Sequence, residues 1–164
     1  YSFSKLNSFL SKSIFSKKLY AKYSQQVFKK YIRNENGISN SVISNGFDGV
    51  NRSKEYLVYR RYSDTRVIQI NRSLLWIRIN NGLIIGDMII AQGDFNEVMD
   101  TITKLAVKLG TRQIQFHTSP GTGLHKLFRE KYSAFTSFPV IYKVLEPGVL
   151  PDKIKFTFAD IDIF

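Results

Sequence analysis

The segment LIIGDMIIAQGDFNEVMDTITKLAVKLG, residues 83–110, decides the fold. Its first nine residues are apolar on both faces apart from Gly86 and Asp87, and such a run is typical of a central strand that is covered on both sides of a sheet. Asp94 is of a residue type that commonly begins helices, and the apolar residues after it recur at steps of three and four up to Gly110. The segment therefore predicts a buried strand followed directly by an amphipathic helix.

The residues around this segment predict a sheet with helices against it. Residues 74–79 alternate between apolar and polar positions, and the Asn-Gly pair before Leu83 is a strong hairpin signal. After the helix, residues 112–118 alternate again, and residues 124–128 have helical spacing. Two more strands are predicted at residues 138–145 and 154–163. This order of elements predicts an α/β (α+β) fold, with a mixed β-sheet and helices on its faces.

The composition indicates one globular domain with an appendage. The chain has 164 residues, of which 43% are hydrophobic, and this is enough for one ordinary core. It contains no cysteine, which excludes disulfides, thiolate metal sites and a cysteine nucleophile. Its two histidines, His117 and His125, lack acidic neighbours at a zinc-binding spacing, so we expect no structural metal. No apolar run is long enough to span a bilayer, so we expect a soluble, cytoplasmic protein.

The positive charge is concentrated in the first part of the chain. Residues 1–72 contain 14 Lys and Arg and 4 acidic residues, a net charge of +10, whereas residues 73–164 contain 10 and 9, a net charge of +1. In residues 1–33, apolar residues recur at helical spacing opposite lysines, which predicts a basic amphipathic helical arm. Either the arm contacts nucleic acid or an anionic membrane, or it packs its apolar stripe on the rest of the protein or on a missing N-terminal domain and leaves its lysines in solvent.

Two further regions follow the arm. Residues 34–52 are rich in Asn, Ser and Gly, which favours turns, and we interpret them as a linker or surface loop. Residues 53–164 form the α/β domain, which begins with a short helix capped by Ser53. Because the chain begins at Tyr1 rather than Met, we expect that the start of the natural product is missing or has been removed.

Five strings in the α/β domain carry a resemblance to a known family. They are RSKEYLVYRRY (52–62), GLIIGDMII (82–90), GDFNEVMDTITKLAVKLG (93–110), RQIQFHTSPGTGLHKLF (112–128) and KIKFTFADIDIF (153–164). Together with the order of elements, they resemble the carboxyl-terminal half of the GNAT acyltransferase superfamily, and the terminal Asp-x-Asp-x-Phe is similar to the ending of poorly characterised bacterial members. The resemblance implies transfer of an acyl group from acetyl-CoA, or another acyl-CoA, to an amine.

The resemblance also implies a site for the pyrophosphate of the acyl-CoA at the start of the helix after the central strand. The residues at that point are Gln92, Gly93, Asp94 and Phe95. Free backbone N–H groups and the helix dipole would together favour an anion there. The loop has one glycine where the family pattern has two small residues, and Asp94 adds a negative charge. In the alternative interpretation, Asp94 simply caps the helix by bonding to its own first turn.

A further implication of the resemblance is a proton donor for the departing thiolate and a base for the amine. Phe128 occupies the position of the family's usual tyrosine, so Tyr132, four residues later, becomes the candidate donor. Asp87 and His117 are the candidate bases, because burial raises the pKa of a carboxyl group and histidine titrates close to neutral pH. The alternatives are a packing role on the helix end for Tyr132 and a surface or hydrogen-bonded position for His117.

Three charged residues are candidates for substrate binding. Asp160 and Asp162 fall on one face of the last predicted strand and could bind an amine or a metal, or they could form a charged strand edge that discourages aggregation. Arg60 could bind a phosphate, or its side chain could pack along the surface.

Two functions from different classes follow from these observations. The first, which the resemblance implies, is an acyl-CoA-dependent N-acyltransferase-like domain that acts on a small amine or an amino sugar. If the chain is a degenerate or partial lobe, we expect that a missing N-terminal domain or a homodimer partner completes its site. The alternative is a non-enzymatic binding module whose basic arm contacts nucleic acid or an anionic membrane. Acetyl-CoA binding that survives salt would favour the first, and salt-sensitive binding of a polyanion would favour the second.

Overall fold

The computed structural model describes residues 14–60, 64–80, 82–111, 113–137, 139–141, 143, 150–161 and 164. Within these residues, five strands form one mixed sheet, and five helices accompany it. The α+β fold class predicted from the sequence is therefore confirmed.

The helices and strands have the following bounds. The helices are α1 (Ile14–Phe28), α2 (Ser41–Ser44), α3 (Lys54–Tyr59), α4 (Phe95–Lys108) and α5 (Gly123–Arg129). The strands are β1 (Ile32–Arg33), β2 (Thr65–Ile70), β3 (Ser73–Ile79), β4 (Leu83–Ile89) and β5 (Ile114–Phe116). Two short 3-10 turns follow, at Pro151–Lys153 and Phe158–Asp160.

The strands lie in the sheet in the order in which they occur in the chain. Neighbours from β1 to β4 are antiparallel, whereas β4 and β5 are parallel and are connected through α4. Parallel neighbours need such a crossover, because a tight turn can join only antiparallel strands. The predicted hairpin between β3 and β4 and the predicted helix after β4 are both confirmed.

The sheet has a hydrophobic core on each face. On one face, α1, α4 and α5 cover alternate residues of the strands, and this core includes Phe28, Val98, Ile102 and Leu124. On the other face, side chains from the loops and from the last residues of the chain cover the intervening positions. That second core contains Ile38, Val67, Trp76, Ile84, Phe158, Ala159 and Phe164. Because both faces are covered, β4 is buried along almost its whole length, as its apolar sequence predicts.

A β-bulge interrupts β4 at Gly86. Trp76 of β3 pairs with Asp87, but the next residue, Ile77, pairs with Ile85, so Gly86 is the extra residue. A bulge changes the direction of the side chains that follow it. Ile85 belongs to the helix-covered core, whereas Asp87 lies opposite Trp76, a residue of the second core. The bulge therefore helps to orient the Asp87 carboxylate toward the loops rather than toward the helices.

Helix α1 corresponds to the second half of the predicted basic arm, and residues 1–13 of that arm lie outside the described residues. Phe28 is fully buried in the core, and the hydroxyl of Tyr20 donates to the Leu109 carbonyl at 3.0 Å. Lys18 and Lys22 are exposed. From residue 14 onward, the helix thus packs on the body through one side and leaves these lysines exposed.

The segment 34–52 differs from the predicted linker or surface loop. Ile38, Asn40, Val42 and Arg52 are buried, and α2 begins at Ser41 with the Asn40 side chain as its cap. The many Asn and Ser residues do form turns, as their composition predicts. Their side chains also make hydrogen bonds inside the protein, which the composition alone does not reveal.

The predicted strand at 154–163 is wrong for its described residues. Ile154 and Thr157 each form only an isolated bridge, with Asp48 and Thr118, before the 3-10 turn Phe158–Asp160 begins. The reason is a capping box, in which the backbone N–H of Thr157 donates to the Asp160 carboxylate at 2.9 Å. Of the strand predicted at 138–145, residues 139–141 and 143 are described and form no strand, and the others lie outside the described residues.

Candidate functional site

A buried ionic cluster lies on the loop-covered face of the sheet, centred on Arg52. One terminal nitrogen of its guanidinium, Nη1, is 2.7 Å from Asp87 Oδ2, and the other, Nη2, is 2.8 Å from Asp160 Oδ1. All three side chains are at most 1% exposed. The cluster joins the segment before α3, the bulged strand β4 and the last 3-10 turn.

Uncharged donors also form hydrogen bonds to both carboxylates. Ser41 donates to Asp87 twice, from its hydroxyl at 2.5 Å and from its backbone N–H at 3.1 Å. Asp160 accepts from Asn40 Nδ2 at 3.1 Å and from the backbone N–H of Thr157 at 2.9 Å. Buried charges are tolerated when they are paired and hydrogen-bonded in this way.

These contacts give Asp87 and Asp160 a structural role in place of the predicted base and substrate-binding roles. Burial raises the pKa of Asp87, while the nearby Arg52 and the hydrogen bonds from Ser41 act in the opposite direction. A base that accepts a substrate proton needs access to the substrate, and the Asp87 side chain is fully buried. The sequence analysis did not identify Arg52, although the acid in a buried strand is itself a signal that a cationic partner exists.

The side chain of Arg60 also contacts protein atoms and is not accessible to a ligand. Its side chain is buried, and Nη2 donates to the Ala159 carbonyl at 3.2 Å and to the Ile161 carbonyl at 2.9 Å. Arg60 therefore connects the end of α3 to the last 3-10 turn. This structural role replaces the predicted phosphate contact. Asp162, the third predicted substrate-binding residue, lies outside the described residues.

The predicted anion-binding loop follows β4 and leads into α4. Gly93 has a φ of +85°, and no atom lies within 4 Å of the position that a Cβ would occupy there. Gln92 and Gly93 are exposed, and Phe95 is buried at the first position of the helix. The loop thus presents an open turn of backbone directly before the positive end of the α4 dipole.

Asp94 does not cap its own helix, so the alternative interpretation of this residue is wrong. Its backbone is already helical, with φ −81° and ψ −14°, and its side chain makes no bond to the first turn of α4. An N-cap residue normally has an extended backbone, which directs its oxygen at the N–H groups of that turn. Asp94 Oδ2 instead accepts from the Arg72 backbone N–H at 3.2 Å and from the Ser73 hydroxyl at 3.1 Å.

Two cations flank the beginning of α4, and the sequence analysis identified neither. Arg72, in the turn between β2 and β3, donates from Nη2 to the Gln92 carbonyl at 3.3 Å. Lys131, after α5, donates from Nζ to Asn96 Oδ1 at 3.2 Å. Both side chains are at least one third exposed. They come from segments distant in sequence, so only the folded sheet brings them to the same helix end.

An aromatic row connects the beginning of α4 with the end of α5. The Phe128 ring centroid is 5.0 Å from that of Phe95, 4.8 Å from that of Phe116 and 5.9 Å from that of Tyr132. Tyr132 is 41% exposed. The predicted proton donor and the predicted cofactor residue Phe95 therefore lie at the same end of the molecule, with Phe128 between them.

His117 follows β5 directly and is half-buried against Phe158, with 4.5 Å between the ring centroids. Burial lowers the pKa of His117 below its ordinary value, since the charged imidazolium loses hydration. The imidazole is therefore neutral at pH 7 and has the protonation state that a general base needs.

Strands β4 and β5 pair along only part of their length. The last pair is Ile85 with Phe116, and β4 continues to Ile89 without a pairing to β5. Beyond that point, residues 117–119 bond to the last segment of the chain, through Phe158 N to His117 O at 2.9 Å and Ser119 N to Phe156 O at 2.9 Å. At Gly86, the loop-covered side is filled, because a Cβ there would collide with the ring of Phe164.

Neither a metal site nor a membrane span is found in the described part of the chain. No group of three or more His, Cys, Asp or Glu residues there has a metal-binding arrangement. Among the same residues, no helix has the length and apolar character needed to cross a bilayer. Comparison with protein-family models, with curated proteins and with solved structures gives no match.

Proposed function

We propose that this chain is an acyl-CoA-dependent N-acyltransferase-like domain that acts on a small amine or an amino sugar. The observation that carries the proposal is the open turn at Gly93, which precedes α4 between the cations Arg72 and Lys131. An exposed glycine turn, a helix N-terminus and cationic side chains together favour a ligand with several negative charges. The pyrophosphate and phosphate groups of CoA fit this requirement.

The position of Asp94 supports the same ligand. Its carboxylate accepts hydrogen bonds from Arg72, in the turn between β2 and β3, and from Ser73, the first residue of β3. Its other oxygen lies 3.6 Å from Arg72 Nη2. The negative charge is thus partly neutralised and bound to another element, so it opposes an anion on α4 less than the sequence alone suggests.

The reacting end of the ligand is proposed to lie at the carboxyl ends of β4 and β5. Ligands of sheets with parallel strands commonly bind outside these ends, and here α4 starts at the same edge. The ionic cluster around Arg52 and the ring of Phe164 fill the loop-covered side of β4. The thioester is therefore assigned to the edge of the sheet beyond these strands, where His117 directly follows β5 and Tyr132 lies beside the beginning of α4.

The proposed reaction uses His117 and Tyr132 as the two proton-transfer groups. Neutral His117 removes a proton from the amine, whose nitrogen attacks the thioester carbonyl and forms the C–N bond. As the C–S bond breaks, the thiolate of CoA leaves and takes a proton from the Tyr132 hydroxyl. Asp87 has no proton-transfer step in this scheme, because its oxygens remain bonded to Arg52 and Ser41.

The test is calorimetric titration with acetyl-CoA, using a variant that fills the open turn. Gly93→Asn adds a side chain in that space, and asparagine tolerates a positive φ better than other residues with a Cβ. Gly46→Asn is the matched control, because Gly46 has a φ of +82° and equally open surroundings away from α4. We expect Gly93→Asn to weaken binding at least tenfold and Gly46→Asn to leave it unchanged.

Two further variants separate binding from turnover. Arg72→Ala should weaken acetyl-CoA binding, whereas Tyr132→Phe should lower the rate of acyl transfer and leave binding nearly unchanged. The proposal fails if the unaltered chain does not bind acetyl-CoA, or if Gly93→Asn binds it as tightly as Gly46→Asn does.

A further inference from the structure

Helix α1 has apolar side chains on its outward side as well as on its packed side. Phe28 is fully buried against the sheet, yet Leu19 is 51% and Tyr23 is 45% exposed. The exposed Lys18 and Lys22 adjoin these two residues in the sequence. The outward side of α1 therefore combines apolar area with positive charge, whereas a face that serves only solvation would be polar throughout.

The end of α4 extends this combination. The Tyr23 hydroxyl donates to the Lys108 carbonyl at 2.8 Å, which brings the outer side of α1 to the last turn of α4. Val107, in that turn, is 73% exposed. The exposed Lys104 lies on the same helix face as Lys108, one turn earlier. The α1–α4 surface is defined here by Lys18, Leu19, Lys22, Tyr23, Lys104, Val107 and Lys108.

The four lysines of this surface outnumber the acids near them in the sequence. The first acidic residue of the chain is Glu35, which follows α1. In α4 the acids are Glu97 and Asp100, and Asp100, one turn before Lys104, lies 3.6 Å from Lys131 Nζ, outside this surface. The α1–α4 surface therefore complements an extended anionic partner.

We propose that the α1–α4 surface docks on an anionic lipid bilayer, with its lysines at the headgroups and its apolar side chains in the interface. Peripheral proteins combine lysines with apolar residues in this way, and tyrosine is favoured at the interface. Each lysine close to an anionic membrane strengthens binding about fivefold. Nucleic acid is the weaker match, because the surface contains no arginine for bidentate phosphate contacts and its aliphatic side chains do not stack on bases.

The proposal is tested by co-sedimentation of the full chain with vesicles. One set contains phosphatidylcholine with phosphatidylglycerol, and the other contains phosphatidylcholine alone. We expect binding only to the first set and weaker binding at high salt, since counterions screen the attraction. Random duplex DNA is titrated in parallel under the same two salt conditions.

Two pairs of substitutions distinguish the charged and apolar contributions. Lys22→Ala with Lys108→Ala should weaken vesicle binding about 25-fold. Leu19→Ser with Val107→Ser should weaken it about tenfold, because these exposed side chains would no longer bury apolar area in the interface.

Matched controls change the same residue types elsewhere. Lys54→Ala with Lys126→Ala removes two exposed lysines outside the α1–α4 surface, and Ile43→Ser with Val58→Ser removes two exposed aliphatic side chains. Both controls should bind vesicles like the unaltered chain. Thermal unfolding of every variant verifies that the fold is retained.

Several results would overturn the proposal. The first is absence of binding to the anionic vesicles, and the second is vesicle binding that Leu19→Ser with Val107→Ser leaves unchanged. The third is DNA binding that is tighter than vesicle binding and depends on the lysine pair alone, because this would identify nucleic acid as the partner.

Discussion

Arg52 illustrates how a single side chain can organise distant parts of this chain. Its terminal guanidinium nitrogens reach two carboxylates, Asp87 and Asp160, and Nη2 also donates to the Thr157 hydroxyl at 2.9 Å. The planar group is suited to this arrangement, because its N–H donors point outward in fixed directions. Its centre also lies 5.5 Å from the centroid of the Trp76 ring. Loss of the cation would leave two buried carboxylates facing each other.

We therefore expect Arg52→Leu to lower the free energy of unfolding by about 3–5 kcal/mol, the cost of leaving a buried charge without its partner. Urea unfolding followed by circular dichroism measures the change. Arg72→Leu is the comparison: Arg72 also pairs with a carboxylate, but its side chain is 75% exposed. An exposed pair contributes about 0–1 kcal/mol, so equal losses for the two variants would contradict this account of the cluster.

His117 makes stability depend on pH. Burial lowers the pKa of His117 in the folded state, and in the unfolded chain the ordinary value of about 6.5 applies. Below that pH, the unfolded chain binds a proton more readily, so the free energy of unfolding decreases as the pH falls. Urea unfolding between pH 7.5 and pH 5 should show this decrease, and His117→Gln should reduce it. An unchanged slope in the variant would assign the effect to other groups.

At the level of elements, the bulge in β4 explains why a glycine interrupts an apolar strand. The ring of Phe164 lies directly over Gly86 and meets the Trp76 ring edge-on, with 5.4 Å between the centroids. A side chain at position 86 would occupy the space of that ring. The glycine thus permits close packing between β4 and the last residue of the chain.

We expect Gly86→Ala to destabilise the protein by about 1–3 kcal/mol, because the new methyl group overpacks the core. Phe164→Leu provides room for it, so the double variant should lose less stability than the sum of the two single variants. A double-mutant cycle of unfolding free energies measures this coupling. Strictly additive losses would mean that the two positions do not compete for the same space.

The sequence predicted the elements whose period is regular. The residues of β3 and α4 have apolar side chains at steps that match a strand and a helix, β4 is apolar on both faces, and all three elements are present. It missed β2 as a separate strand because the turn after it has no glycine or proline. Asn71 supplies the positive φ of 52° there, which asparagine tolerates.

The features that were predicted wrongly or missed depend on side chains that form hydrogen bonds to the backbone or to distant residues. Thr157 and Asp160 form a capping box that ends the extended conformation, although the local alternation favours a strand. In the candidate site, the loop at Gly93 could be located from sequence, because it links a strand to a helix. Arg72 and Lys131 could not, because they reach that loop only through the tertiary fold.

At the scale of the whole molecule, the ionic cluster couples the stability of segments that lie far apart in the sequence. Asn40 and Arg52 lie between β1 and β2, Asp87 is in β4, and Asp160 follows β5. Each contact closes a long loop of chain, which costs entropy and yields a benefit only when the whole arrangement is formed. Helix α4 lies on the opposite face and contributes to the other core.

Hydrogen exchange can test whether the cluster stabilises these segments while the stability of α4 does not depend on it. Asp160→Ala removes the acceptor of Arg52, Asn40 and the Thr157 backbone N–H. We expect the amides of 157–161 and 40–42 to exchange about 100-fold faster, since both segments lose their shared partner and open locally. The amides of α4 should keep their protection, because α4 packs in the other core, on the opposite face of the sheet. Equal acceleration in α4 would mean that the last segment cannot open unless the sheet itself unfolds, and the cluster would then belong to a single cooperative unit with both cores.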